Sequence, residues 1–137
     1  MAKIAKVEQL GIEDTCDITI DEHHNYISNG IVGHGNATTD TKVFTNNGEI
    51  TIEQLYKDPY AAGKAYCDNG NGTLVVRDIQ AVTHTGQKQV VQLTLDNGMT
   101  IKCTDDHKVL TKNRGYVMVK DLTDQDDIVT IDNYRKK

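Results

Sequence analysis

The chain has 137 residues, 20 acidic and 15 basic, for a net charge of −5; opposite charges are interspersed, and no basic stripe offers the electrostatic footprint of nucleic-acid binding. No apolar run approaches membrane-spanning length and the N-terminus carries no signal-peptide core, so a cytoplasmic monomer with no membrane and no nucleic-acid partner is expected. Cys16, Cys67 and Cys103 are odd in number and widely spaced, which suits a reducing compartment better than a disulfide framework.

The length fits a single domain over residues 1–137 with a real hydrophobic core. Ile4, Val7 and Leu10 suggest a strand entering from a loose terminus. Residues 16–20, rich in β-branched side chains, read as a strand, and residues 21–25 supply polar turn chemistry. Tyr26-Ile27 begins a hairpin: Asn29-Gly30 tolerates positive φ at both positions, a type I′ signal, and Ile31-Val32 returns towards His34. A second hairpin pairs 42–45 with 49–52 across Asn46-Asn47-Gly48. Thr51 is placed to cap a short helix over 52–56, which Pro59 helps to end.

Residues 67–72 read as a turn-rich loop. Strands are then expected over 74–77, 79–84, 89–95, 99–103, 107–111, 116–119 and 128–131, with the clearest alternation between Val91 and Leu95. The basic end Arg135-Lys136-Lys137 reads as a solvated tail. The fold class is all-β, with many short strands, frequent hairpins and at most one or two short helices.

Chemistry gathers in two places. Thr104-Asp105-Asp106-His107 follows a strand; there a threonine hydroxyl and a histidine can hydrogen-bond a strained peptide and supply a proton to its departing nitrogen. The bland reading makes Thr104 a turn cap and His107 a structural hydrogen-bond partner. The other place runs from Asp17 through His23-His24 and the Asn29-Gly30 turn to His34. A zinc site from Cys16, His24, His34 and His107 competes, although no compact Cys-x-x-Cys or His-x-x-x-His pair is present. Cys103, beside the Thr-x-x-His run, needs no role beyond that of a small buried strand residue.

These motifs resemble those of inteins. Thr104-x-x-His107, followed by residues 115–122, is similar to the family's N-terminal portion. Asp17, His24, Asn29-Gly30 and His34 are similar to its C-terminal portion. The resemblance implies a horseshoe-like Hint fold and autocatalytic protein splicing by acyl shift, transesterification and asparagine cyclisation, in a single turnover and without a cofactor. Thr104 and His107 would then hydrogen-bond a strained peptide and protonate its departing nitrogen, Asp17 and His24 would support the downstream junction, and His34 would polarise the peptide that cleaves. Flanking exteins, or a complementary intein fragment in a split form, are the implied partners. Hedgehog-type processing is a poorer match, since no cysteine opens the module and no sterol-binding appendage follows; nothing resembles an intein endonuclease. A β-rich binding or structural module with incidental histidines is the non-catalytic alternative.

The two portions stand in exchanged order, residues 1–35 before residues 36–137, as in a circular permutant with Met1 and Lys137 as new termini. The family spacing downstream from Asp17 puts the cyclising asparagine at Gly35, and the spacing back from Asp40-Thr41 puts the first nucleophile at Asn36. Glycine has no side chain to attack with, and the amide of Asn36 is no thiol or hydroxyl, so splicing is expected to be lost. In a shifted register Asn36 would be the cyclising residue and Ala37 the replaced nucleophile.

Overall fold

Two long strands carry the architecture. β1 (Ile4–Ile20) and β8 (Leu74–Leu95) run antiparallel from the pair Ile4↔Leu95 to the pair Ile20↔Ile79. In the computed structural model, which describes residues 2–58, 60 and 63–134, their register shifts between Ile4 and Lys6, Gln9 and Gly11, Thr15 and Cys16, and Thr19 and Ile20. Each irregularity bends the strand and rotates which side chains face inward. For that reason the sequence reads as separate pieces at 1–11 and 16–20, and at 74–77, 79–84 and 89–95, where there are two continuous strands. The expectations placed on Pro59 and on residues 135–137 lie outside the described residues.

The remaining strands are β2 (Tyr26–Ser28), β3 (Ile31–His34), β4 (Ala37–Thr38), β5 (Lys42–Thr45), β6 (Gly48–Thr51), β7 (Lys64–Asp68), β9 (Thr100–Cys103), β10 (Lys108–Thr111) and β11 (Gly115–Met118). They join in the order β1-β4-β9-β8-β7-β5-β2-β3-β10-β11, with β6 on β5 and with β1 also on β8. The fold is all-β, as composition and hairpin signals implied. The two sequence portions are interwoven: β2 and β3 lie between β5 and β10, while β1 pairs with β4 and β8. The core takes side chains from both, among them Ile20, Tyr26 and Ile31 from the first and Leu93, Ile101 and Ile128 from the second, none more than 1% exposed.

Local chemistry accounts for the turns. Asn29 (φ 51°) and Gly30 (φ 87°) both take the left-handed conformation that a two-residue type I′ hairpin requires. The Asn29 side chain also stitches the hairpin to its neighbours, donating to the Thr100 carbonyl at 2.9 Å and accepting from the Lys42 N–H at 2.8 Å. In the β5–β6 hairpin the positive φ falls on Gly48 (97°), which pairs with Thr45, and on neither asparagine. Thr51 caps the helix α1 (Ile52–Lys57) in a capping box, its hydroxyl accepting from the Gln54 N–H at 3.2 Å while Gln54 accepts from the Thr51 N–H at 3.1 Å. No helix among the described residues is long and apolar enough to cross a membrane.

The strands expected at 49–52, 99–103 and 116–119 shift by a residue to Gly48–Thr51, Thr100–Cys103 and Gly115–Met118, and three other expectations change for a visible reason. Cys67 and Asp68 belong to β7 and not to a loop, because Asn25 bonds the main chain of Asp68 on both sides, accepting from its N–H at 2.8 Å and donating to its carbonyl at 3.0 Å. His107 precedes β10 because its N–H closes a turn onto the Thr104 carbonyl at 3.1 Å. Residues 128–131 form no regular strand. Ile128 and Thr130 make single bridges, and the chain then turns through a 3₁₀ helix, Ile131–Tyr134, with the Thr130 N–H held by the Asn133 side chain at 2.7 Å.

That segment is approached through Asp126, 1% exposed, whose carboxylate accepts from Arg114 Nε and Nη2 at 2.8 Å, Asn113 Nδ2 at 3.0 Å and the Thr123 N–H at 2.9 Å. These donors, Arg114 first, hold its carboxyl far below the usual carboxylate range. Asp126→Asn removes the charge, leaves one accepting oxygen in place of two and turns an NH2 donor towards donors that have lost their acceptor. It is expected to cost about 2–4 kcal/mol in urea unfolding, as for a buried charged group stripped of its bonds; a loss below about 0.5 kcal/mol would show that the cluster rearranges freely.

Candidate active site at the β3–β4 crossing

The short link Gly35-Asn36 carries the chain from β3 to β4, between sheet neighbours supplied by both halves. β3 fixes His34 by pairing it with Lys108 of β10. β4 fixes Ala37, which is fully buried and pairs with Cys16 of β1 on one side and Cys103 of β9 on the other. The turn 104–107, entered from β9, returns under the link. Two antiparallel pairings thus bring Thr104 and His107 to the peptide that follows His34.

The link's two carbonyls are each held. The Tyr26 hydroxyl donates to the Gly35 carbonyl at 2.8 Å, and the Thr104 main-chain N–H donates to the Asn36 carbonyl at 3.2 Å. The Thr104 hydroxyl itself donates to Asp106 Oδ1 at 2.6 Å. Gly35 (φ 131°) has a conformation that suits glycine, and a Cβ there would lie 3.0 Å from His107 Cα and 3.1 Å from its Nδ1. The site of a side chain on residue 35 is therefore directly against the His107 ring.

His107 is wholly buried. Among the described residues neither ring nitrogen has a hydrogen-bond partner of good geometry, and the Asn36 Oδ1 is likewise buried and unpartnered, which is uncommon for buried polar atoms. Burial first, and then the nearby His34, push the His107 pKa down to about 4, against a smaller upward pull from the main chain of Asn36 and Gly35 and from Asp106. The ring is neutral at physiological pH and can accept a proton from an attacking or departing group.

His34 is half-buried, its ring set edge-on to Tyr116 with centroids 5.0 Å apart. Burial lowers its pKa as well; Lys108 and His24 act in the same direction and Asp17 opposes them. Asp17 and His24 are thus within electrostatic reach of His34. Asp17 sits in β1 with its carboxylate accepting the Ile18 N–H at 2.8 Å, and His24 is exposed in the 21–25 turn at φ 55°. His23 is less exposed, its Nε2 buried without a hydrogen bond among the described residues and 3.7 Å from Glu22. Among the described residues no three His, Cys, Asp or Glu side chains are gathered so as to hold a metal ion, so Cys16, His24, His34 and His107 do not make a zinc site as they stand. The Cys103 thiol is pushed up to about 12 by burial and then by Asp106 and Asp105, which keeps it a thiol.

Over 115 residues the chain is 30% identical to the DNA gyrase B protein of Synechocystis sp., a match that takes in 80% of this chain and 11% of that protein. The chain thus spans about a tenth of the length of the curated relative it matches. No family model matches it.

Tyr26 is a site residue that the sequence marks only as a strand position. Its signal was the phenol itself: a tyrosine inside an apolar hairpin needs an acceptor for its hydroxyl. Which acceptor is decided by the β3–β4 link, distant from any local pattern.

Proposed function

We propose that the chain is an intein-type autoprocessing domain of the Hint class, in circularly permuted order, whose splicing chemistry is disabled by the residues at the join. Residues 1–35 are the downstream portion and residues 36–137 the upstream portion of one domain. The observation that carries this reading is the convergence on one peptide, Gly35–Asn36, of His34 from the first portion and of Thr104 and His107 from the second. A permutation is tolerable only if the original ends lie together, and a link of two residues between β3 and β4 is what such adjacent ends permit. The limited match to a far longer protein agrees with an element carried inside a host chain.

In this reading a cysteine at position 36 would attack the carbonyl before it. An asparagine at position 35 would later close its side-chain amide onto its own carbonyl, releasing the following nitrogen. The neutral His107 ring accepts and returns protons beside residue 35, and His34 serves the peptide after it. Flanking exteins are the substrate, the reaction takes place once per chain, no cofactor is used, and the domain works as a cytoplasmic monomer. With Gly35 and Asn36 in place neither nucleophile exists.

The chain as written is expected to keep a single intact mass through days at neutral pH. Gly35→Asn with Asn36→Cys and a short foreign segment beginning with cysteine between them is expected to release or cyclise that segment. An unchanged precursor on a gel favours a binding module instead. Slow cleavage of the unaltered chain after Asn36, at a rate that collapses in His34→Ala, overturns the register and makes Asn36 the cyclising residue.

A further inference from the structure

We infer that the Tyr26 hydroxyl is the donor that stabilises the oxyanion during acyl chemistry at the carbonyl of residue 35, a catalytic part separate from the histidines. The inference rests on the splicing reading above. Tyr26 is 0% exposed, and the hydrogen bond recorded for its hydroxyl goes to the Gly35 oxygen at 2.8 Å. Its ring stands edge-on to His107 at 87°, with centroids 6.4 Å apart. Residue 35 is thereby served by two different groups: its carbonyl oxygen by the phenol, and the place of its side chain by His107, whose Nδ1 is 3.1 Å from the site of a Cβ.

The phenol suits this role because it holds its proton. Burial raises its pKa well above 10, and Asp17 and the two neighbouring thiols act in the same direction, so the group is a neutral donor at neutral pH. A donor in a water-excluded site, already placed on the oxygen that will become negative, costs no reorganisation when the reaction occurs. Tyr26 comes from β2, which packs between β5 and β3, so the donor rests on a paired strand and not on a loop.

With asparagine at position 35, the side-chain Nδ2 forms a bond to the residue's own carbonyl carbon, and the electron pair displaced onto the carbonyl oxygen is held by the Tyr26 O–H. The Nδ2 gives up a proton to a neighbouring histidine. As the carbonyl re-forms, the bond to the nitrogen of the next residue breaks, and that nitrogen takes a proton from the histidine. Tyr26 neither gains nor loses a proton overall.

The test uses the full chain with Gly35→Asn and a short inert segment inserted after residue 35, leaving only the bond after residue 35 to react; cleavage is followed by intact mass across the histidine titration range. Adding Tyr26→Phe is expected to slow cleavage about a hundredfold, the usual cost of one oxyanion donor, with the shape of the pH profile unchanged. Asp126→Asn, which lowers stability at a carboxylate bonded to Arg114, Asn113 and Thr123 and to none of Tyr26, His34, Gly35, Asn36 or His107, is expected to leave the rate within about twofold, as a change that shares no partner with the site. If Tyr26→Phe also leaves cleavage within that range, the phenol only satisfies a carbonyl and the proposal falls. If the chain carrying Tyr26 does not cleave at all, the splicing reading falls and this role with it. A second measurement needs no cleavage: in the unaltered chain, the Gly35 carbonyl carbon resonance and its amide stretch are expected to move in Tyr26→Phe towards those of a less polarised carbonyl, and an unmoved signal overturns the proposal.

Discussion

Acidifying the protein through the histidine range is expected to remove about 3 kcal/mol of its stability, and His107→Leu is expected to abolish most of that loss. The value follows from the fall of the buried ring's pKa from 6.5 to about 4 and from the free energy carried by each unit of difference. The sign is set by proton uptake. Below 6.5 the unfolded chain takes up a proton that the folded chain refuses until about 4, so unfolding becomes easier as pH falls through that window, and this contribution is fully present only above it. His34, also lowered by burial, adds a smaller effect of the same sign.

The carboxylates Asp40 and Asp127, held low by Thr38 and Lys102 in one case and by Lys3 in the other, lose their contribution only once pH falls below their ordinary value of 3.8. The histidine window is therefore separate from theirs. Thermal unfolding at several pH values is the measurement. The midpoint is expected to drop by roughly 10 °C across the histidine window, while His107→Leu, an apolar residue of comparable size in place of a ring with two unpartnered nitrogens, follows a much flatter curve. Parallel curves for the two proteins would mean that the ring is solvated and titrates normally.

Gly33→Ala is expected to cost about 3 kcal/mol or more, at the upper end of what overpacking does. Gly33 is not in a left-handed conformation; the constraint is space. Its Cβ would overlap the Lys108 carbonyl oxygen and stand 3.1 Å from the Val109 Cα, both of them main-chain atoms of the strand with which β3 pairs. Main chain cannot swing aside as a side-chain tip can, so β3 must part from β10. That parting also displaces His34, the next residue. A loss below about 1 kcal/mol in urea unfolding would show that the two strands separate at little cost. The same crowding explains why Gly35 is poorly replaced while the link is closed: its φ and the His107 ring both oppose a side chain. A segment inserted after residue 35 is accordingly part of every test that puts asparagine there.

Much of the fold is legible locally. Asn29-Gly30 specifies a type I′ turn because both positions need positive φ, and Thr51 with Gln54 caps its helix through contacts three residues apart. The all-β class follows from β-branched alternation and repeated turns. What is not legible is continuity. The bulges along β1 and β8 break the period-two pattern that marks a strand, so two long strands look like five segments. Residues 128–131 mislead for the opposite reason: Ile128, Val129 and Ile131 have the composition of a strand, but the Asn133 cap and single bridges to β3 and β10 use the main chain differently.

For the site, the sequence by itself determined the chemical types and their grouping: Asp17, His24 and His34 ahead of the link, Thr104 and His107 behind it, and a Gly-Asn pair in the link. Tertiary structure decided which atoms meet. The pairing of Ala37 with Cys103 brings Thr104 to the link through its main-chain N–H, the hydroxyl being taken by Asp106. Only the crossing of β3 into β4 puts the Gly35 carbonyl under the Tyr26 hydroxyl and the place of a side chain against His107. Residue types and spacings are local properties of a chain. Hydrogen-bond partners and the protonation state of a buried ring depend on what long-range strand pairing excludes from water, and no local pattern encodes that.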